Sequence, residues 1–325
     1  MKDAVVGIDI GGTFTKFGII DRIGNILLEG SVPTDQTDDI KVYLATLTGA
    51  VDKAISELGN SVSIKGVGVG APNGNYKSGS IEFAANLDWA RNKVIPFVAL
   101  LQEHFKVPAA VTNDANAAAL GEMIYGGAKG MKDFILITLG TGLGSGIVVN
   151  GELLYGHNSF AGEVGHIRVD MGDENSRLCG CGNRGCLETY ASAPGIKRTV
   201  FELLAKYNGN SELSKYSFEQ LNSEIVYQAA TRGDKLALEA FRKTGEILGL
   251  KLADAVHVTA PEKIFLFGGL AKSGDYILKP TRESFEKHVL TVWKGKVPIE
   301  LSQLAEGNVA ILGASALIWQ ELNRQ

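Results

Sequence analysis

No apolar run in this sequence approaches the ~20 residues that a membrane-spanning helix requires. The stretch from Met1 to Asp9 lacks the basic start and long apolar segment of a secretion signal, so a cytoplasmic protein with no membrane partner is expected. Positive charge is not in excess. Lys and Arg number 32 against 36 Asp and Glu, a net charge of −4, which argues against the basic stripe of a nucleic-acid platform. Cysteine is scarce, and three is an odd number, which in a reducing compartment does not suggest a disulfide framework. The phosphate loop G-x-x-x-x-G-K-[ST] is missing. Gly66-Val-Gly68-Val-Gly70-Ala71 imitates a dinucleotide fingerprint, but Pro72-Asn73-Gly74 follows it, so no helix N-terminus stands ready for a pyrophosphate.

What is present is an ordinary globular composition, 45 % hydrophobic and 21 % charged over 325 residues. That length suits about two domains of ~150 residues. Glycine is abundant, with 40 residues, many in short strand–turn segments, as suits tight turns and backbone brought close to a ligand. Residues 4–10, 14–21 and 26–32 read as a three-stranded meander, not a βαβ unit. Helical spacing follows at 39–58, a buried strand at 65–70, a helix at 94–105, a strand at 109–113 and an alanine-rich helix at 115–125. The opening then repeats, with strands at 134–139, 144–149 and 152–155. Ile8-Asp-Ile-Gly-Gly-Thr13 lies beside Ile137-Thr-Leu-Gly-Thr-Gly142 in pattern, and duplication is the simplest reading. Helices are expected at 194–206, 218–231, 234–258 and 309–322, and a strand at 264–267. The helix at 234–258 carries Leu238, Phe241, Leu248, Leu252 and Val256 on one face, with Gly245 and Gly249 allowing close approach; core packing or a dimer interface would explain it. Two α/β domains are expected, a smaller one of 1–113 with 309–325 and a larger one of 114–308.

Four clusters carry chemistry. Gly11-Gly12-Thr13, with Thr15 and Lys16, and Gly140-Thr141-Gly142 are turns whose converging amide dipoles could grip a polyphosphate, or they are hairpin turns alone. Asp9 ends the first strand and offers an oxygen ligand to Mg²⁺ or its water shell. Glu163-Val-Gly-His166 precedes Cys179-Gly-Cys181-Gly-Asn-Arg-Gly-Cys186-Leu-Glu188, and one His with all three Cys makes the closed set of a structural zinc site. Thr112-Asn113-Asp114-Ala-Asn116 is a strand-to-helix junction, with Asp114 at or near the cap. Together with Asn86, Glu163, His166 and Glu188 it supplies short polar side chains suited to a polyhydroxyl ligand.

These residues resemble the ROK family of repressors and kinases, its glucokinase branch most closely. The resemblance runs from Asp9-Ile-Gly-Gly-Thr13-x-x-Lys16 through Asn113-Asp114-Ala-Asn116 and Leu139-Gly-Thr-Gly-Leu-Gly144. It continues to Gly162-Glu-Val-Gly-His166, the Cys179–Glu188 stretch and Phe267-Gly-Gly269. It implies a duplicated actin-like (RNase H-like) ATPase fold, with ATP and sugar in a cleft between two domains. It also implies roles. Asp114 would take the proton of a sugar hydroxyl; Asn86, Asn113, Glu163, His166 and Glu188 would hold the sugar. His166, Cys179, Cys181 and Cys186 would bind structural Zn²⁺. Gly11, Gly12, Thr13, Thr141 and Gly142 would hold phosphates, and Gly268-Gly269 would lie near adenosine. The activity implied is ATP- and Mg²⁺-dependent phosphorylation of a hexose, glucose first, with N-acetylmannosamine, N-acetylglucosamine, fructose and mannose as alternatives and polyphosphate as an alternative donor. The family often forms homodimers or homotetramers. Its repressors carry a DNA-reading domain before the Asp-Ile-Gly-Gly segment, where eight residues stand here. One departure is that Pro72-Asn73-Gly74 replaces the family's usual Pro-Gly.

Overall fold

The computed structural model describes residues 1–207, 210–304 and 309–324. The chain forms two compact units, one of Met1–Met131, Leu153–Gly162 and Gln303–Gln325, the other of Lys132–Glu152 and Glu163–Ser302. In chain order the elements are β1 (Lys2–Ile10), β2 (Phe14–Asp21), β3 (Ile26–Pro33), α1 (Ile40–Leu58), β4 (Val62–Gly70), β5 (Gly74–Asn75), β6 (Ser80–Glu82), β7 (Val94–Ile95), α2 (Phe97–Phe105), β8 (Ala109–Thr112) and α3 (Asp114–Tyr125). They continue with β9 (Phe134–Leu139), β10 (Leu143–Val149), β11 (Glu152–Leu153), α4 (Ala193–Tyr207), α5 (Ser223–Thr231), α6 (Lys235–Thr259), β12 (Lys263–Phe267), α7 (Asp275–His288), β13 (Ile299–Leu301) and α8 (Val309–Arg324).

In the first unit the main sheet has the order β3-β2-β1-β4-β8. β1, β2 and β3 pair antiparallel, as the meander predicts, and β4 and β8 continue in parallel from β1. A strand covered on both faces reads as an unbroken apolar run. Ala4, Val5, Val6, Ile8 and Ile10 of β1 are accordingly all buried. Alternation sends Ala4, Val6, Ile8 and Ile10 to the core shared with Tyr43, Leu47 and Val51 of α1. The opposite face takes α8, whose backbone lies so close that a Cβ on Gly7 or Gly68 would strike the carbonyl oxygens of Ile311 and Ala314. α3 rests on α8 with Gly121 against Gly313. Residues 114–131, like Leu153–Gly162, fall in this unit, whereas the sequence reading puts the boundary between the halves near 113–130 and assigns 114–308 to the larger domain.

In the second unit the order is β11-β10-β9-β12-β13. β9 and β10 are antiparallel, and β12 and β13 add in parallel. The plan of the first sheet is repeated, as the paired strand–glycine–strand segments predict. Behind this sheet, α6 packs on α7: a Cβ on Gly245 would lie 2.6 Å from Pro280 Cγ, and one on Gly249 would lie 2.8 Å from the backbone nitrogen of Phe285. The glycine face of α6 is therefore covered within the unit, and Leu238 lies away from it, exposed.

The remaining differences are local. The stretch predicted as a helix from 94 begins as β7, and Pro96 delays α2 to Phe97. The helix predicted from 218 starts at Ser223, where Asn222 caps it by accepting from Ile225 N–H at 2.8 Å. α7 and the small β5-β6-β7 sheet were not anticipated. α7 contains Pro280, which reads as a helix break, although Ile277, Leu278, Thr281, Ser284 and Phe285 form its buried face at helical spacing.

Candidate active site

The first unit gathers eight of the expected residues: Asp9, Gly11, Gly12, Thr13, Lys16, Asn86, Asn113 and Asp114. β1 delivers Asp9 to its end, opposite Lys16 in the β1/β2 register. The turn that follows is held by Gly11 N–H donating to Phe14 O at 3.1 Å and Thr34 N–H donating to Thr13 O at 2.8 Å. A Cβ on Gly12 would stand 3.4 Å from the backbone oxygen of Asn86, so the glycine turn and the Asn86 loop are in contact. β4 ends at Gly70, where a Cβ would lie 3.7 Å from Asp114 Cα.

Asn113, not Asp114, caps α3. Its Oδ1 accepts from Ala115 N–H at 2.9 Å, and Asp114 Oδ1 accepts from the same N–H at 2.8 Å. Asp114 is thus the first residue of the helix, where the dipole favours a carboxylate. Its side chain is solvent-accessible yet densely surrounded by protein. The reduced hydration raises its pKa, against the lowering effect of the Ala115 N–H. Asp9 is part-buried, and its pKa is pushed up to about 6, first by burial and then by the charge of Asp114, with Lys16 pulling the other way.

The departure at Asn73 has a local explanation. Asn73 adopts the left-handed conformation (φ 52°) that the family's glycine would suit. Its Nδ2 donates to Glu82 O at 2.9 Å, so the amide is tied into the β5–β6 hairpin.

The second unit gathers the other ten: Thr141, Gly142, Glu163, His166, Cys179, Cys181, Cys186, Glu188, Gly268 and Gly269. The β9–β10 turn is closed by Gly140 N–H donating to Gly142 O at 3.0 Å. Gly268, at φ 102°, sits against Leu139 at the end of β9, and Leu270 N–H donates to Leu139 O at 3.1 Å. Both glycine turns therefore open at the same end of this sheet. Glu188 joins them to the cysteine loop: its Oε2 lies 2.8 Å from where a Cβ on Gly142 would be, and its Oε1 accepts from Cys179 Sγ at 2.9 Å.

The ligand atoms of His166, Cys179, Cys181 and Cys186 all lie within 4.8 Å of one another. Cys181 Sγ to Cys186 Sγ is 3.8 Å, and Cys179 Sγ to His166 Nδ1 is 3.8 Å. A tetrahedral metal with thiolates at about 2.3 Å has edges of about 3.8 Å, so the set fits zinc. His166 turns Nδ1 toward the sulfurs and Nε2 toward Glu163 Oε2, at 4.0 Å. Burial opposes ionisation of Cys181, but hydrogen bonds from Asn183, Cys179 and Cys186 outweigh it and bring its pKa to about 7.

Arg177 is a residue that sequence reasoning missed. Its guanidinium donates to Thr189 O at 2.7 Å and Gly195 O at 3.0 Å, and pairs with Glu202. It pins the loop of Glu188 to α4. Its only signal was an arginine two positions before a cysteine, which is too common to read.

The sequence profile described as the ROK family matches residues 5–321. The chain belongs to the ROK family. Its ROK relatives include a glucokinase of Halalkalibacterium halodurans, 36 % identical over 321 residues, with 98 % of this chain and 96 % of that protein covered. A xylose repressor of Caldicellulosiruptor bescii is 27 % identical, with 98 % of this chain and 79 % of the repressor covered. Among solved structures, a ROK glucokinase from Streptomyces griseus in complex with glucose and AMPPNP matches with a TM-score of 0.78 and 32 % identity, covering 98 % of this chain and 99 % of that one. The ROK chain thus has the α/β, actin-like ATPase fold expected of it. Among the described residues, no helix is long and apolar enough to cross a membrane.

Proposed function

We propose that this ROK protein is a hexokinase-type phosphotransferase that moves the terminal phosphate of ATP to the 6-hydroxyl of glucose. The observation that carries the reading is its 36 % identity to a glucokinase over nearly the whole length of both chains. The site residues agree with it. Phosphoryl transfer asks for positioning and charge neutralisation more than for covalent chemistry. The amides of Gly11–Thr13 and of Thr141–Gly142 bind phosphate oxygens, and Gly268-Gly269 receives the adenosine. Asn86, Asn113, Glu163, His166 and Glu188 orient the sugar by its hydroxyls. Asp114 takes the proton of the attacking hydroxyl, aided by a raised pKa.

Mg²⁺ would be held through Asp9, whose part-buried carboxylate near the end of β1 offers oxygen ligands to a hard cation or its water shell. When bound, it supplies charge neutralisation along the phosphates. Zinc would be held by His166, Cys179, Cys181 and Cys186. Four protein donors leave no coordination position for water, so its role is to stiffen the loop carrying Glu163 and Glu188. The proposed enzyme is cytoplasmic, in a family whose members often form homodimers or homotetramers.

The test is ADP release over a panel of glucose, mannose, fructose, N-acetylglucosamine and N-acetylmannosamine, with ATP and with polyphosphate as donor. Glucose with ATP should give the highest kcat/KM. Turnover of an N-acetylated sugar in preference to glucose would reassign the acceptor. Glucose binding without turnover on any hexose would favour a sugar-responsive regulator, in line with the xylose repressor relative.

A further inference from the structure

Beneath the first glycine turn lies a buried chain of three hydroxyls. Thr15 Oγ1 is hydrogen-bonded to Thr34 Oγ1 at 2.8 Å and to Tyr43 OH at 2.7 Å. All three residues are at most 1 % exposed. Thr34 also holds the turn through its backbone, donating to Thr13 O. Tyr43 reaches the network from the first turns of α1, and its ring stacks on Trp89 with centroids 4.6 Å apart and planes at 16°. Trp89 is fully buried and stacks in turn on Phe97. It belongs to the same tight loop as Asn86, closed by Leu87 N–H donating to Ala84 O and Ala90 N–H donating to Leu87 O. One side chain therefore touches the underside of both loops. Its hydroxyl meets the strand leaving the glycine turn, and its ring meets the loop presenting Asn86. The two loops also touch each other above it, at Gly12 and Asn86. Burial, with Asp9's charge adding to it, raises the Tyr43 pKa, so the phenol stays neutral and its O–H remains available.

We propose that Tyr43 is a positioning residue that locks the Gly11–Thr13 turn and the Asn86 loop into one rigid platform, so that nucleotide phosphates and sugar are held in mutual register. The inference rests on the kinase reading of those two loops. A buried aromatic that serves packing alone does not need its hydroxyl; a coupling residue does. Removing the hydroxyl leaves Thr15 still bonded to Thr34, so the turn keeps one of its two side-chain bonds.

The test compares Tyr43→Phe, Thr15→Val, the double variant and Thr15→Ser. Tyr43→Phe should keep Tm within roughly 5 °C of wild type. Its kcat/KM should fall about tenfold for both ATP and glucose, the scale expected from imperfect alignment of reactants. Thr15→Val should lose at least as much, and the double variant little more than Thr15→Val alone, because both substitutions cut the Thr15–Tyr43 bond and only Thr15→Val also cuts the bond to Thr34. Thr15→Ser should recover what Thr15→Val loses. Wild-type kcat/KM in Tyr43→Phe, a lowered Tm with unchanged kinetics, or losses that multiply in the double variant would each overturn the proposal. If wild type itself turned over no hexose, the kinase reading would fail on its own, and titration calorimetry would decide this one. Weaker binding of both Mg-ADP and glucose in Tyr43→Phe upholds the coupling, and weaker binding of only one overturns it.

Discussion

Oε2 of Glu188 occupies the space where a side chain on Gly142 would begin, 2.8 Å from the Cβ position. The other oxygen of the same carboxylate rests on Cys179 Sγ at 2.9 Å. One acid thus fills the gap between the second glycine turn and the cysteine cluster. A methyl group at 142 must push it aside. Gly142→Ala should raise the KM for glucose about tenfold, consistent with the loss of one charged hydrogen bond, while Tm moves little. Steady-state kinetics with glucose varied at saturating ATP would check this, and an unchanged KM would separate Glu188 from sugar binding.

Asp114 stands at the start of α3 with its carboxylate accessible and its pKa raised. Asp114→Asn preserves shape and the bond from Ala115 N–H but cannot accept a proton. Its glucose affinity, read by calorimetry, should stay within about threefold, while kcat falls by ~10²–10⁴. A kcat near that of wild type would remove Asp114 from its role as base.

The pKa of Asp9, raised to about 6 by burial and by Asp114, gives two effects of pH. Cation binding needs the ionised form, so Mg-nucleotide affinity should weaken as pH falls through about 6. Asp114→Asn removes the neighbouring negative charge, and the acid limb should then move to lower pH. The ligand-free protein should respond in the opposite sense. A carboxyl whose pKa is raised on folding adds stability that is fully present below its unfolded value of 3.8 and lost as pH rises through about 6. Asp9→Asn should therefore stabilise the ligand-free protein at pH 7–8 by on the order of 1–2 kcal/mol, and the gain should vanish near pH 4. Melting curves across that range would test the sign.

Removal of zinc should loosen the 163–188 loop without unfolding the sheets. Metal analysis should find about one zinc per chain, the number that one four-donor set can hold. Cys181→Ser should lower that content, lower Tm and raise the KM for glucose more than that for ATP. A metal-free preparation with full activity and unchanged Tm would contradict the structural role.

Much of this arrangement was legible because its signals are local. Asp9 beside Gly11-Gly12-Thr13, the duplicated strand–glycine–strand pattern and the clustered cysteines each follow from residues adjacent in sequence. α7 stayed hidden because Pro280 reads as a helix break, although Ile277, Leu278, Thr281 and Phe285 keep helical spacing and its partner face on α6 was visible as Gly245 and Gly249. The assignment of 114–131 to the first unit depends on the contact of Gly121 with Gly313, nearly two hundred residues away, which no local pattern states. Arg177 and Tyr43 were missed for the same reason. Their hydrogen bonds reach side chains and carbonyls far along the chain, so only coordinates reveal them.

Asn73 precedes a glycine, the pairing at which an asparagine amide most readily cyclises onto the next backbone nitrogen and is lost as ammonia. Here the attacking nitrogen is engaged, with Gly74 N–H donating to Ala71 O at 3.0 Å, and the amide under attack is held by Glu82 O. Folding therefore shields a bond that ageing would otherwise cut early. Protein that stays native in storage should keep the Asn73 amide, whereas protein allowed to unfold should lose it and gain a negative charge there.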